Sequence, residues 1–177
     1  MTEHEDEIVR LRGLLEVERR VSRTDLLTGL GNARTFAEAL DGIRRVGGSV
    51  LLFDAANLKA ANTALGHAGA DRVLKTLGQC VRSGSGDAVC TRQGGDEFAV
   101  FLPSTPVLDA LYVLRRIQSA TLPGIVVARG VCCFLDGWVA RIPKGCTQTH
   151  AAHRLNAADR FIEAIKVERK SGGVPAR

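Results

Sequence analysis

The stretch Thr91-Arg92-Gln93-Gly94-Gly95-Asp96-Glu97 separates two runs of strand-forming residues, Ala88-Val89-Cys90 and Phe98-Ala99-Val100-Phe101-Leu102. Two such runs joined by a glycine pair predict a β-hairpin, because glycine takes the positive φ that tight hairpin turns require. A hairpin at this place fixes two neighbouring strands of any sheet the chain builds. Two adjacent acids, Asp96 and Glu97, then open a strand that otherwise reads as buried. Glycines also let a ligand approach the backbone, since no Cβ stands in the way. Carboxylates beside a bare turn point to a metal and a phosphate.

The chain has 177 residues, 45% apolar and 24% charged, with no internal repeat, which suits one soluble domain with a full core. Its formal charge of +5 is compatible with an anionic small ligand and too mild to indicate a nucleic-acid groove. Part of that charge lies in the tail from Lys166 to Arg177, which reads as a solvated end. The five cysteines, Cys80, Cys90, Cys132, Cys133 and Cys146, are odd in number and form no CxxC pair, so neither a disulfide framework nor a zinc knuckle is expected. The acidic start has no apolar secretory core. No run approaches the ~18 apolar residues of a membrane span. A cytoplasmic location away from the membrane is the expectation.

Residues 3–22 carry Ile8, Leu11 and Leu15 at heptad-like spacing among charges, and Glu18 and Ser22 break the seam. Residues 1–24 are therefore expected to form an N-terminal helix, either a coiled-coil stub that pairs two chains or a helix packed on its own domain. The domain itself is expected over 25–170, with 171–177 a flexible tail. Asn32 is placed to cap a helix to about Arg45, and Gly47-Gly48 ends it. Ser49-Val50-Leu51-Leu52-Phe53 is a continuous apolar run, as in a strand covered on both faces, and it stops at Asp54. A short helix from Asn57 to Leu65, a loop Gly66-His67-Ala68-Gly69 and a helix from Asp71 to Val81 should follow. Thr105-Pro106 opens a further helix, with Leu108, Leu111, Leu114 and Ile117 toward the sheet. Ile125-Val126-Val127-Ala128 reads as a strand, Asp136 to Thr149 has mixed character, and a last helix covers about His150 to Lys170. Helices alternating with strands give an α/β fold with a mixed central sheet flanked by helices.

These residues resemble the GGDEF domain of diguanylate cyclases, which join two GTP molecules into cyclic di-GMP. The resemblance is carried by Arg92 with Gly94-Gly95-Asp96-Glu97-Phe98, by Asp25-Leu26-Leu27-Thr28-Gly29-Leu30-Gly31-Asn32, and by Phe53-Asp54-Ala55-Ala56-Asn57-Leu58-Lys59-Ala60-Ala61-Asn62 followed by Gly66-His67 and Asp71. Three motifs in the family's order and spacing are far more specific than the five-letter turn alone. The resemblance implies a palm-like nucleotide-cyclase fold. It implies GTP as substrate and Mg²⁺ (or Mn²⁺) as cofactor, held by Asp54, the Ala55 carbonyl and Asp96. If the strand ending at Asp54 lies beside the hairpin, a strand spacing of about 4.8 Å brings both carboxylates to one ion or ion pair.

By the same resemblance Glu97 sits by the metal or the attacking ribose hydroxyl, and Lys59 and Lys166 contact phosphates as point charges. Asn62 and Asp71 read guanine, whose N1–H and amino group suit an acceptor that adenine cannot satisfy. The competing reading of Asp71 is a first-turn helix acid. Gly94 and Gly95 permit close approach of the nucleotide, and His67 has no assigned role. One site cannot complete a symmetric product, so a homodimer during catalysis is implied, with a sensor or effector protein as a further partner. Departures are Ala56 in place of a second acid, Leu58 in place of phenylalanine, and Arg129 within Val126 to Val131, the counterpart of the family's Ser-Ile-Gly-Val strand. The segment before that strand reads as lacking a hairpin, and 136–149 as an insertion. The product-inhibition motif Arg-x-x-Asp would need residues 85 and 88, which are serine and alanine. Two alternatives stay open: a degenerate domain that binds GTP or cyclic di-GMP and regulates a partner, and a cyclase making another cyclic dinucleotide.

Overall fold

The structure is a computed structural model that describes residues 3–121, 124–127 and 131–170. Its centre is strand β1 (Gly48–Ala56), with the hairpin of β2 (Val89–Gly94) and β3 (Glu97–Pro103) on one side. On the other side lie β5 (Val131–Ile142) and the short edge strand β4 (Ile125–Val127), giving the order β2-β3-β1-β5-β4. All ladders between these strands are antiparallel. A single parallel bridge, Gly31 to Thr91, attaches the entry segment to the sheet.

Helices α2 (Ala33–Val46) and α5 (Gln148–Lys170) cover one face, and α3 (Leu58–Ser85) and α4 (Val107–Thr121) the other. The period-2 alternation of β1 explains why both faces are apolar. Leu51, Phe53 and Ala55 enter the core with Val73, Leu74, Leu77, Leu114 and Ile117, while Val50 and Leu52 join Ile43, Leu155 and Ile162. Leu108 and Leu111 stay exposed and, of the four, only Leu114 and Ile117 are buried, so the α4 stripe is narrower than its leucine spacing suggests.

Asn32 caps α2 as expected, its side chain accepting from the amides of Arg34 and Thr35. Three expectations are corrected. Gly66 to Gly69 is not a loop: α3 runs through it, with Gly66 alone leaving helical geometry at φ 69°. The two-residue hairpin loop is Gly95-Asp96, because Gly94 pairs with Glu97, so Asp96 stands in the turn and not in the strand. The strand beside β1 is β5, and it forms a hairpin with the edge strand β4, in a region that the sequence reads as lacking one. The segment 136–149 is therefore no insertion, since its first half is central strand. Arg129 and the tail 171–177 lie outside the described residues.

Helix α1 (Glu3–Val21) contributes no residue to either core cluster. Ile8, Leu11 and Leu15 are each about half exposed, at 46%, 50% and 53%. Among the described residues no helix is long and apolar enough to cross a membrane.

Candidate active site

Strand alternation puts the Asp54 side chain on the α5 side of the sheet, where it would be a bare acid at a strand end. Helix α5 meets it there. Lys166 Nζ lies 2.7 Å from Asp54 Oδ2 and 2.8 Å from Glu163 Oε1. The hairpin brings the second carboxylate: the Ala55 amide donates to the Asp96 carbonyl at 3.0 Å, which fixes the turn against the end of β1. Burial pushes the Asp54 carboxyl above its ordinary value. Lys166 opposes that shift, and the nearby charge of Asp96 adds to it. Burial alone would lower Lys166, yet its bonds to Asp54 and Glu163 raise it.

Asp54, Ala55, Lys59, Asp96 and Lys166 line one cleft of about 670 Å³. Two carboxylates and two lysines thus lie on the wall of one cleft. The floor of the cleft is the turn from β1 into α3. Asn57 sits there in the left-handed region at φ 64°, which asparagine tolerates better than most residues. Its amide donates to the Cys132 carbonyl at 2.9 Å and makes no cap to α3. The first amides of a long helix therefore reach the cleft uncapped by side chain, an arrangement suited to an anion.

Among the described residues, no three His, Cys, Asp or Glu side chains converge to cage an ion unaided. The donor set present, Asp54, Asp96 and the Ala55 carbonyl, fits an ion that takes one or two carboxylates and completes its shell with phosphate oxygens and water, as Mg²⁺ does.

Not every expected residue lies on this wall. Glu97 pairs with Asp54 across β1 and β3, but it is exposed and lines a neighbouring groove with Gln93, Gln148, Asp159 and Glu163. Asn62, Asp71, Gly94 and Gly95 are also absent from the cleft wall. Asp71 is exposed beyond the Gly66 bend. The Asn62 side-chain oxygen is buried and has no hydrogen-bond partner, which marks it as an acceptor awaiting a donor.

The hairpin is braced from the entry segment. Arg92 Nη1 lies 3.1 Å from Asp25 Oδ2, and Arg92 Nη2 donates to the Gly95 carbonyl at 2.6 Å. Burial would raise the Asp25 carboxyl, but bonds from Thr28 and Arg92 hold it below its ordinary value. The segment at Asp25 thus acts on the glycine turn through Arg92, clamping the hairpin that carries Asp96. Asp136 and Arg169 were missed by the sequence reading. The signal for Asp136 was an acid inside an apolar run, Phe134-Leu135-Asp136-Gly137-Trp138.

The sheet order, with β3 inserted between β1 and β2, and the carboxylates and lysines at a strand-to-helix turn are those of a palm-like α/β domain. The chain belongs to the family described as "Diguanylate cyclase, GGDEF domain", which it matches over residues 22–123. It is 36% identical to the response regulator PleD of Caulobacter vibrioides, over 61% of this chain and 25% of that protein. It is 35% identical to the diguanylate cyclase DgcP of Pseudomonas aeruginosa, over 60% of this chain and 17% of that protein. The chain therefore spans a quarter or less of these curated relatives. Its fold is similar to that of the diguanylate cyclase SiaD of Pseudomonas aeruginosa, solved in complex with its activator SiaC. There the TM-score is 0.75 at 26% identity, over 91% of this chain and 65% of that one.

Proposed function

We propose that this chain is a Mg²⁺-dependent diguanylate cyclase that condenses two GTP into cyclic di-GMP and two pyrophosphates. The observation that carries the reading is the convergence of Asp54 and Asp96 on one cleft with Lys59 and Lys166. Two like charges held near each other, one of them half-buried, need a cation beyond Lys166, which pairs with Asp54 and Glu163. Asp54, Asp96 and the Ala55 carbonyl would hold the ion, which when bound supplies charge neutralisation at the triphosphate. Lys59 and Lys166 bind the phosphate oxygens. Lys166, paired with Asp54, would exchange that contact for a phosphate oxygen when the nucleotide is bound. In the chemical step the 3′-oxygen of one GTP bonds to the α-phosphorus of the other, the bond from that phosphorus to the pyrophosphate oxygen breaks, and the hydroxyl proton passes to solvent. Such transfer is mostly positioning and electrostatics, which suits a site without a buried general base. Glu97 faces the adjoining groove, so it acts on the site through its charge or on the partner's ribose.

Asn62, with its buried unpartnered oxygen, and Asp71, exposed across the bend, accept from guanine. Two chains must face each other, because each supplies one nucleotide. The exposed seam of Ile8, Leu11 and Leu15 on α1 is suited to pairing them, which raises the effective concentration of one site at the other. A cytoplasmic setting, where GTP and Mg²⁺ are held, follows from this reading, with a sensor or effector protein acting on the dimer.

Incubating the chain with GTP and Mg²⁺ and weighing the product tests the proposal. Cyclic di-GMP with pyrophosphate is expected, and bound but unchanged GTP would favour the degenerate reading. Adding ATP to the mixture exposes any mixed dinucleotide. Added cyclic di-GMP is expected to leave turnover free of non-competitive inhibition. At the positions where the family's inhibition motif stands, Ser85 is buried and Ala88 carries no charge, while Arg82 donates to the Gly29 carbonyl. Strong non-competitive inhibition in that assay overturns this expectation.

A further inference from the structure

One stretch of the sheet ends in the open. The backbone of Leu135 points away from β1, since its amide donates to Thr121 Oγ1 at 3.3 Å and its carbonyl accepts from Gln118 Nε2 at 3.4 Å. Backbone direction alternates along a strand, so Val139 and Arg141 also turn their N–H and C=O groups outward. β4 pairs with Val131 to Cys133, and among the described residues no strand follows it along Trp138 to Arg141. Edges of this kind are usually blunted by proline, lysine or a bulge. Here the β1–β5 register runs without a break, and Gly137-Trp138-Val139-Ala140-Arg141 holds neither proline nor lysine. Its one charge is turned back, Arg141 Nη1 lying 2.6 Å from the Gly48 carbonyl. The edge is unguarded.

Both flanks of this edge carry exposed apolar side chains. On one, Trp138 stacks on Phe161 of α5 with ring centres 4.6 Å apart, yet the two stay 40% and 52% exposed. On the other, α4 runs along β5 with Thr105 at Arg141 and Gln118 at Leu135, which sets Leu111 between them. Leu111 lines a shallow hollow with Leu108, Asp109, Tyr112 and Arg115, all exposed. Apolar surface on both sides of free backbone groups fits an extended chain. Its main chain pairs with the edge while alternate side chains reach the two flanks. Cations outnumber acids on this rim: Arg115 on α4 and Arg154 on α5, two turns before Phe161, stand against Asp109. A second copy of the chain would set these cations against their own counterparts, so the rim selects an acidic strand. We propose that the β5 edge is a docking site for an extended acidic segment of another protein, which adds to the sheet in line with β4. The proposal needs nothing from the nucleotide reading, since no residue from Gly137 to Arg141 lines the cleft.

The probe is a peptide of about ten residues alternating valine and glutamate. Its controls are the same peptide N-methylated along its centre and one with lysine in place of glutamate. Trp138 is the single tryptophan of the chain, so its fluorescence reads occupancy of the edge in the full-length protein. The glutamate peptide is expected to bind about tenfold or more tighter than either control, because one lacks the backbone donors and the other the charge. Val139→Pro removes one outward N–H and leaves the β1 ladder its bonds, so it should melt as a folded protein and bind about fivefold more weakly. Arg115→Glu/Arg154→Glu should reverse the preference and take the lysine peptide over the glutamate one. Equal binding of the glutamate peptide and its N-methylated form overturns the proposal, as does a wild type that binds neither. Self-association of the peptide-free chain that Val139→Pro dissolves would seat a second copy on the edge, and overturns it as well.

Discussion

Asp96→Ala is expected to cut pyrophosphate release from GTP and Mg²⁺ by about a thousandfold or more, roughly 4 kcal/mol of lost transition-state stabilisation. Stability should hardly change. Asp96 touches β1 through its backbone carbonyl, which alanine retains, and its side chain is only partly buried. Surface substitutions away from packed contacts usually stay within about 0.5 kcal/mol. Removing its charge also takes away one of the influences that raise Asp54, so the Asp54 carboxyl should titrate lower in the variant. The sign matters for stability. A carboxylate whose folded pKa lies above its unfolded value of 3.8 binds more protons folded than unfolded in that window, so wild-type stability falls as pH rises through it. Asp96→Ala should narrow that window, and Mg²⁺ should stabilise the wild type more than the variant. Carboxyl titration by NMR and melting curves with and without Mg²⁺ read both effects. Turnover close to wild type in Asp96→Ala would remove Asp96 from the machinery.

What the sequence disclosed about this site follows from where packing and chemistry agree. Asp54 was legible because a strand covered on both faces reads as an unbroken apolar run, and an acid ending such a run needs a reason. The hairpin was legible because its glycines lie between two strand-like runs, although the turn proved to be one residue further on, which puts Asp96 at the tip. Strand β5 was not legible. Asp136, Gly137 and Arg141 interrupt its pattern, and each is explained only by a distant residue: Arg169 for Asp136, Phe53 for Gly137, and the Gly48 carbonyl for Arg141. The apolar run Ile125-Val126-Val127-Ala128 reads as the clearer strand, and Val126 to Val131 stands as the counterpart of the family's strand. Likewise Lys166 and Arg169 read partly as a solvated basic end until α5 was laid along the row Asp54–Asp136. Local pattern finds the elements whose partners are adjacent in sequence or uniformly apolar. It fails where a polar residue is buried because something far along the chain completes it.

Gly137 provides the sharpest test of that last point. It pairs with Phe53, the residue before Asp54, and is buried between the sheet and α4. A Cβ added there would stand 2.5 Å from Phe53 Cδ1, 2.8 Å from Phe53 Cε1 and 2.9 Å from Leu114 Cδ1. Leu114 can turn its methyl aside, but the Phe53 ring is 2% exposed and fills the core beneath β1. Alanine normally does better than glycine in a strand, so any loss in Gly137→Ala reports the collision. We expect a loss of about 2 kcal/mol for alanine and more for valine, the range of overpacked cores. For a chain of this size that lowers the melting temperature by roughly 4–8 °C. Activity should fall as well in the alanine variant, because the ring can yield only by moving the strand that presents Asp54. Gly42→Ala in α2 is the matched control, with no heavy atom within 4 Å of the added Cβ. It should gain up to about 1 kcal/mol from better helix propensity. Gly137→Ala melting at or above the wild-type temperature would mean that Phe53 has room to shift, and the close seam between β1 and β5 would no longer explain why a glycine stands in the middle of the sheet.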